Sequence, residues 1–147
     1  MSRVLAVAGL MMVVIGVLHL FAPQMMMATP GIELTSTNHF HVVRAAYGGA
    51  YIGIGVLFLA GLLRESLRRS SLLAVAVIFS GFALGRLVSI VLDGTPVALY
   101  LAVLAFELAC AVLAILLSLA AFGAIGLGGA RGLGRIAAAL FIATLVL

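Results

Sequence analysis

The sequence predicts an all-α membrane protein: an up-down bundle of four transmembrane helices with both termini in the cytoplasm. Three observations predict it. The 147 residues are 66% hydrophobic and 8% charged, with mean hydropathy +1.41, a composition that excludes an ordinary soluble domain. Four apolar stretches, 4–22, 42–63, 71–92 and 97–122, each reach the length of about 20 residues that a helix needs to cross the hydrocarbon. The arginines, finally, gather on alternate connections. Lipid offers no partners to open backbone groups, so the spans must be helices, and the alternation of membrane strands is absent.

Charge placement predicts the orientation. Arg3 precedes the first helix, Arg64, Arg68 and Arg69 fill the second connection, and Arg131 and Arg135 follow the fourth helix. The first loop (23–41) carries no Lys or Arg, and the third (93–96) carries only an acid. The positive-inside rule places the arginine-bearing segments in the cytoplasm and argues against a dual-topology antiparallel dimer. The net charge of +4 reads as anchoring to anionic lipid, with nucleic acid excluded as a partner. A secretory signal is disfavoured because the first run is long and Pro23-Gln24-Met25-Met26-Met27 offers no small-x-small cleavage site. Cys110 is the sole cysteine, so no internal disulfide can form. Every basic residue is Arg, amid much Ala, Gly, Leu and Val; this suggests a GC-rich genome and a bacterial inner membrane.

The elements follow in order. After the first helix, Met25-Met26-Met27 is expected against the outer interface and Pro30-Gly31 turns the chain. Thr35-Ser36-Thr37-Asn38 offers N-caps for the second helix. Between helices three and four, Asp93-Gly94-Thr95-Pro96 is a tight turn. Short connections force antiparallel neighbours. Gly49 and Gly53 on helix two, and Gly81 and Gly85 on helix three, are small residues four apart, the spacing of close helix packing in lipid. Gly9, Met12, Gly16 and His19 form a stripe on helix one, and Glu107, Ala111, Ala114 and Ser118 one on helix four. No internal repeat marks a transporter built from halves. The bundle occupies residues 1–122. The remaining 123–147 form a Gly-rich tail, six glycines in 123–135, and an apolar end, 136–147. Twelve helical residues span about 18 Å, too short to cross; an interfacial segment and a truncated fifth span both remain open.

Inside the apolar stretches lie Arg44, Arg86 and Glu107, with His19 as a fourth member. Ionisable groups in a bilayer mark functional sites by default. Helical rise puts Arg44 about 8 Å, Arg86 about 10 Å and Glu107 about 15 Å below the outer surface, all in the exterior half. Arg44, Tyr47, Gly48 and Tyr51 should share one face of helix two, and Phe79, Phe82, Arg86, Ser89 and Asp93 one face of helix three. Tyr100 lies seven residues before Glu107. Converging, these faces predict an outward polar pocket ringed by aromatics. Arg86 and Glu107 make the obvious pair, since a guanidinium fork matches a carboxylate. Arg44 is then left over, to bind a lipid phosphate or small carboxylate, to snorkel to the headgroups, or to turn to Asp93. No metal and no cofactor is expected: His39 and His41 are two apart and point to opposite sides, and no Cys or acid completes a first shell with His19. Cys110 is deep and inert, and no nucleophile or phosphate-loop motif occurs.

Four runs carry a family resemblance: Arg44-Ala45-Ala46-Tyr47-Gly48-Gly49, Gly81-Phe82-Ala83-Leu84-Gly85-Arg86-Leu87-Val88-Ser89, Asp93-Gly94-Thr95-Pro96 and Phe106-Glu107-Leu108. In this order they resemble a family of small bacterial four-helix membrane proteins catalogued as a domain of unknown function, over roughly residues 1–122. In layout the family is similar to membrane proteins of the DoxX type, a looser analogy. The resemblance implies the fold and a motif set, Arg44, Gly49, Gly85, Arg86 and Glu107, and no activity. The function expected from the residues is therefore a binding or accessory subunit, with membrane lipids and other membrane subunits as partners and an outward Arg/Glu pocket for a lipid headgroup or small anion. The rivals are an enzyme using Glu107 as acid or base, a proton-coupled transporter, and a purely structural bundle. The transporter should need polarity in the cytoplasmic half as well, where almost none is found.

Overall fold

The computed structural model describes residues 1–121; the Gly-rich tail and the apolar end lie outside them. Among the described residues four helical segments are long and apolar enough to cross a membrane, Ser2–Phe21, Thr37–Leu63, Glu65–Asp93 and Ala98–Ala120, and no strand occurs. The elements are α1 (Ser2–Phe21), α2 (Pro23–Ala28), α3 (Thr37–Val43), a π-helical turn (Arg44–Gly49), α4 (Ala50–Leu63), a 3-10 turn (Glu65–Leu67), α5 (Arg68–Asp93) and α6 (Ala98–Ala121). The second span is thus α3, the π turn and α4 run together. Helices two and three begin earlier than the apolar stretches that signalled them, because hydropathy marks the hydrocarbon while the helix continues into the polar interface.

Local chemistry sets the ends. Pro23 opens α2 at its first turn, where a missing N–H costs nothing. Of the four capping residues offered before the second span, Ser36 is the cap, its side chain accepting from the His39 N–H at 3.3 Å. The loop between is pinned by Met27, Leu34 and Val43, which bury together beside Phe40. Gly94 ends α5 with φ 97°, a conformation that only glycine adopts without strain.

Two helix pairs build the bundle: α1 packs on the second span, α5 packs on α6, and α4 joins α5. The first pair meets backbone to backbone. A Cβ on Gly16 would lie 2.8 Å from the Gly48 carbonyl oxygen, and one on Gly55 2.7 Å from that of Gly9. The contacts recur one heptad apart on both helices and in opposite directions, which fixes the antiparallel register. The stripes expected on α1 and α6 are buried, Gly9, Met12, Gly16 and His19 on one, Glu107, Ala111, Ala114 and Ser118 on the other. Between α4 and α5 the Ser71 hydroxyl donates to the Leu57 carbonyl at 2.7 Å.

The close-packing glycines differ from those expected. A Cβ on Gly53, Gly81 or Gly85 meets nothing within 4 Å, and on Gly49 it meets only the Arg44 carbonyl at 3.7 Å. Spacing of four identifies small residues on one face without saying which face turns inward; here α5 buries Leu72, Val75, Ala76, Phe79 and Ala83 instead.

Candidate functional site

The register places the Arg64 end of the bundle with the start of α1, and the Asp93 end with its close. His19, Arg44, Tyr47, Tyr51, Arg86, Tyr100 and Glu107 all lie toward the Asp93 end. Phe79 is buried on α5 and Phe82 half-buried, and the same face carries Arg86 one turn further on. Its Nε donates to Glu107 Oε2 at 2.8 Å, with 34% of the Arg86 side chain and 6% of the Glu107 side chain exposed. The guanidinium carbon stands 5.7 Å from the centre of the Tyr100 ring, within cation–π range. One turn toward the end of α5, the Ser89 hydroxyl donates to Asp93 Oδ2 at 2.8 Å. Arg86, Ser89 and Ile90 of α5, with Pro96, Tyr100 and Leu104, line a shallow cleft of about 200 Å³.

Beside it an aromatic line crosses the bundle. His19 is buried on α1, its Nδ1 2.8 Å from the Ile15 carbonyl; a carbonyl only accepts, so Nδ1 carries the proton. The imidazole stacks on Tyr47 at 5.5 Å and meets Tyr51 edge-on at 6.0 Å. Tyr51 reaches Phe82 at 6.0 Å, Phe82 reaches Phe79 at 6.1 Å, and Phe79 reaches Phe106 of α6 at 5.9 Å. Offset and edge contacts of this kind add to burial, and they hold the α5–α6 face at a fixed distance from α1.

Arg44 does not join this group. Its Nε donates to the Leu20 carbonyl at 3.1 Å, and its guanidinium lies over Phe40 at 5.5 Å. Leu20 stands in the last turn of α1, where carbonyls lack helical partners and attract cations. The expected convergence of Arg44 with Tyr47 and Tyr51 fails because the chain is π-helical from Arg44 to Gly49, with the Ala50 N–H bonded to the Ala45 carbonyl five residues back. One extra residue in a turn rotates everything before it by about 100° relative to α-helical arithmetic. Arg44 is therefore a cap for α1. Replacing it by Gln should cost about 1 kcal/mol or less in thermal unfolding and leave the Arg86–Glu107 bond intact; a loss as large as that of Arg86→Gln would contradict this assignment.

The structure thus brings together Arg86, Glu107, Ser89, Asp93 and Tyr100, sets His19, Tyr47 and Tyr51 alongside, and separates Arg44. Sequence reasoning missed Ile90, Pro96 and Leu104 as lining residues and the α1 carbonyl as the destination of Arg44. No local pattern signals the latter, because every helix end offers unpaired carbonyls. Among the described residues no group of three or more His, Cys, Asp or Glu is placed to hold a metal.

The family described as Domain of unknown function (DUF4345) matches residues 1–118. The chain belongs to that family. The DUF4345 match takes in the first three spans, the fourth as far as residue 118 and every residue of the cleft, and leaves the tail outside. No curated protein and no solved structure matches the chain. Membership in DUF4345 carries the fold and no chemistry, so function must be argued from the site itself.

Proposed function

We propose that this membrane protein is a binding or accessory subunit whose α5–α6 cleft takes the oxyanion of a lipid headgroup or small anion on Arg86. The observation that carries the reading is the geometry of the Arg86–Glu107 bond. A guanidinium has five donors in a flat fork and commonly grips a carboxylate with two. Here Nε alone is engaged, and among the described residues no acceptor meets either Nη group. In hydrocarbon an unmet charged donor is costly, so the two Nη groups favour any oxygen that enters the cleft. Arg86 lies seven residues before the end of α5, about 10 Å, a depth that a lipid phosphate and a long side chain reach between them. The arginine distribution supports an exterior orientation for this end in a bacterial inner membrane.

An acid–base role for Glu107 has less support, since the carboxylate is buried and already holds Arg86. The test compares phospholipid co-purifying with the wild type and with Arg86→Gln/Glu107→Gln, a variant that removes the guanidinium without stranding its partner. Native mass spectrometry in mild detergent should show a bound phospholipid on the wild type and none on the variant. Equal lipid content in both would reject the reading.

A further inference from the structure

The sign of the charge around the cleft narrows what the headgroup can be. Arg86 is the one cation among its lining residues, and two carboxylates are bonded to that lining: Glu107 on α6 to the Arg86 Nε, and Asp93 at the end of α5 to the Ser89 hydroxyl. The C-terminus of α5 and the N-terminus of α6 meet here, so their dipoles oppose one another and the side chains decide. A simple anion approaching Arg86 therefore enters a region of net negative charge. Asp93 is also underused. It is exposed, accepts one hydrogen bond from Ser89, and has no ion pair among the described residues. A carboxylate has about four acceptor positions, and Ser89, which lines the cleft, holds this one at the rim.

We propose that the ligand of the cleft is zwitterionic, with a phosphate diester against the Arg86 Nη groups and a primary ammonium against the Asp93 carboxylate. This is the headgroup chemistry of an ethanolamine phospholipid. The inference rests on the reading of Arg86 above and adds the second half of the headgroup. A quaternary ammonium has no N–H to give Asp93, and the one aromatic ring among the lining residues, Tyr100, already carries the Arg86 guanidinium. A glycerol headgroup brings a negative charge with nothing to offset Asp93. The ethanolamine group matches both ends.

The experiment incubates purified protein in detergent with equal amounts of dioleoyl phosphatidylethanolamine, phosphatidylglycerol and phosphatidylcholine, and reads the bound lipids by native mass spectrometry. The wild type should enrich the ethanolamine lipid on the order of tenfold over either competitor, the discrimination expected of one charge-assisted hydrogen bond. Asp93→Asn, at an exposed position, should still bind lipid but with preference reduced to about twofold or less. Enrichment of phosphatidylglycerol or phosphatidylcholine by the wild type, or an unchanged preference in Asp93→Asn, overturns the proposal. Lipid binding without headgroup preference removes this inference and leaves the Arg86 reading standing; failure of Arg86→Gln/Glu107→Gln to lower binding removes both. Soluble glycerophosphoethanolamine supplies the second arm. Displacement of lipid by the free compound, dependent on Asp93, assigns the same recognition to a soluble ligand. Retention of lipid against it assigns the recognition to the bilayer.

Discussion

Arg86→Gln is expected to destabilise the bundle by about 3 kcal/mol in thermal or denaturant unfolding, whereas Glu107→Gln should cost only about 1 kcal/mol. The asymmetry follows from where the two partners sit. Glu107 is 4% exposed, on the α6 stripe with Cys110, Ala111 and Ala114 around it. With Arg86 gone, its carboxylate has no cation to meet and no route to the headgroups, since the side chain is short. Arg86 is in the opposite position. A third of its side chain is already exposed at the cleft, so a guanidinium released from Glu107 can extend along the face of α5 and find lipid or water oxygens. Removing both charges in Arg86→Gln/Glu107→Gln leaves a neutral amide pair able to hydrogen-bond between the same helices. The double variant should therefore recover most of what Arg86→Gln loses, with a coupling of about 3 kcal/mol. Additive losses, or equal losses from the two single variants, would show that the pair does not act as the link between α5 and α6.

The Arg86–Glu107 link was legible in the sequence because the two residues lie on uninterrupted α-helix. Rise per residue gave their depths, and a carboxylate and a guanidinium near one level in lipid leave little choice of partner. The same arithmetic placed Tyr47 and Tyr51 correctly beside one another and failed for Arg44, a few residues away. The π turn is set by the packing of Gly48 against the Leu20 backbone, a tertiary contact that no local pattern announces. The destination of Arg44 was hidden for a related reason: every helix end offers unpaired carbonyls, and only the assembled register says which side chain reaches which end. The glycines show the third kind of limit. Gly49, Gly53, Gly81 and Gly85 have the spacing associated with close approach, but the approaching pairs are Gly9 with Gly55 and Gly16 with Gly48, seven apart on each helix. In a helix apolar all round, composition does not distinguish the lipid face from the protein face, and hydropathy cannot decide what packing decides.

Those glycine pairs carry the second large effect. Gly16→Val should abolish the packing of α1 on the second span, and Gly16→Ala should already cost about 1–3 kcal/mol as overpacking. The atoms that a new Cβ would meet at 2.8 Å include the Gly48 carbonyl oxygen and the Ile52 backbone nitrogen, and neither can rotate aside as a side-chain end could. The helices must separate, and separation lifts His19 off Tyr47 and carries the Leu20 carbonyl away from Arg44, since all of these lie on the same stretch of contact. Gly53→Ala is the matched control: nothing stands within 4 Å of its new methyl, so the higher helix propensity of alanine should leave stability unchanged or raised by about 0.5–1 kcal/mol. Unfolding in detergent measures all three variants, and equal behaviour of Gly16→Ala and Gly53→Ala would refute the register of α1 on the second span. Because α5 and α6 form their own pair, lipid bound at Arg86 should survive Gly16→Ala at temperatures below its unfolding. Loss of lipid from that still-folded variant would mean that the aromatic line through Tyr51 and Phe82 couples α1 to the cleft, and that the two helix pairs do not act independently.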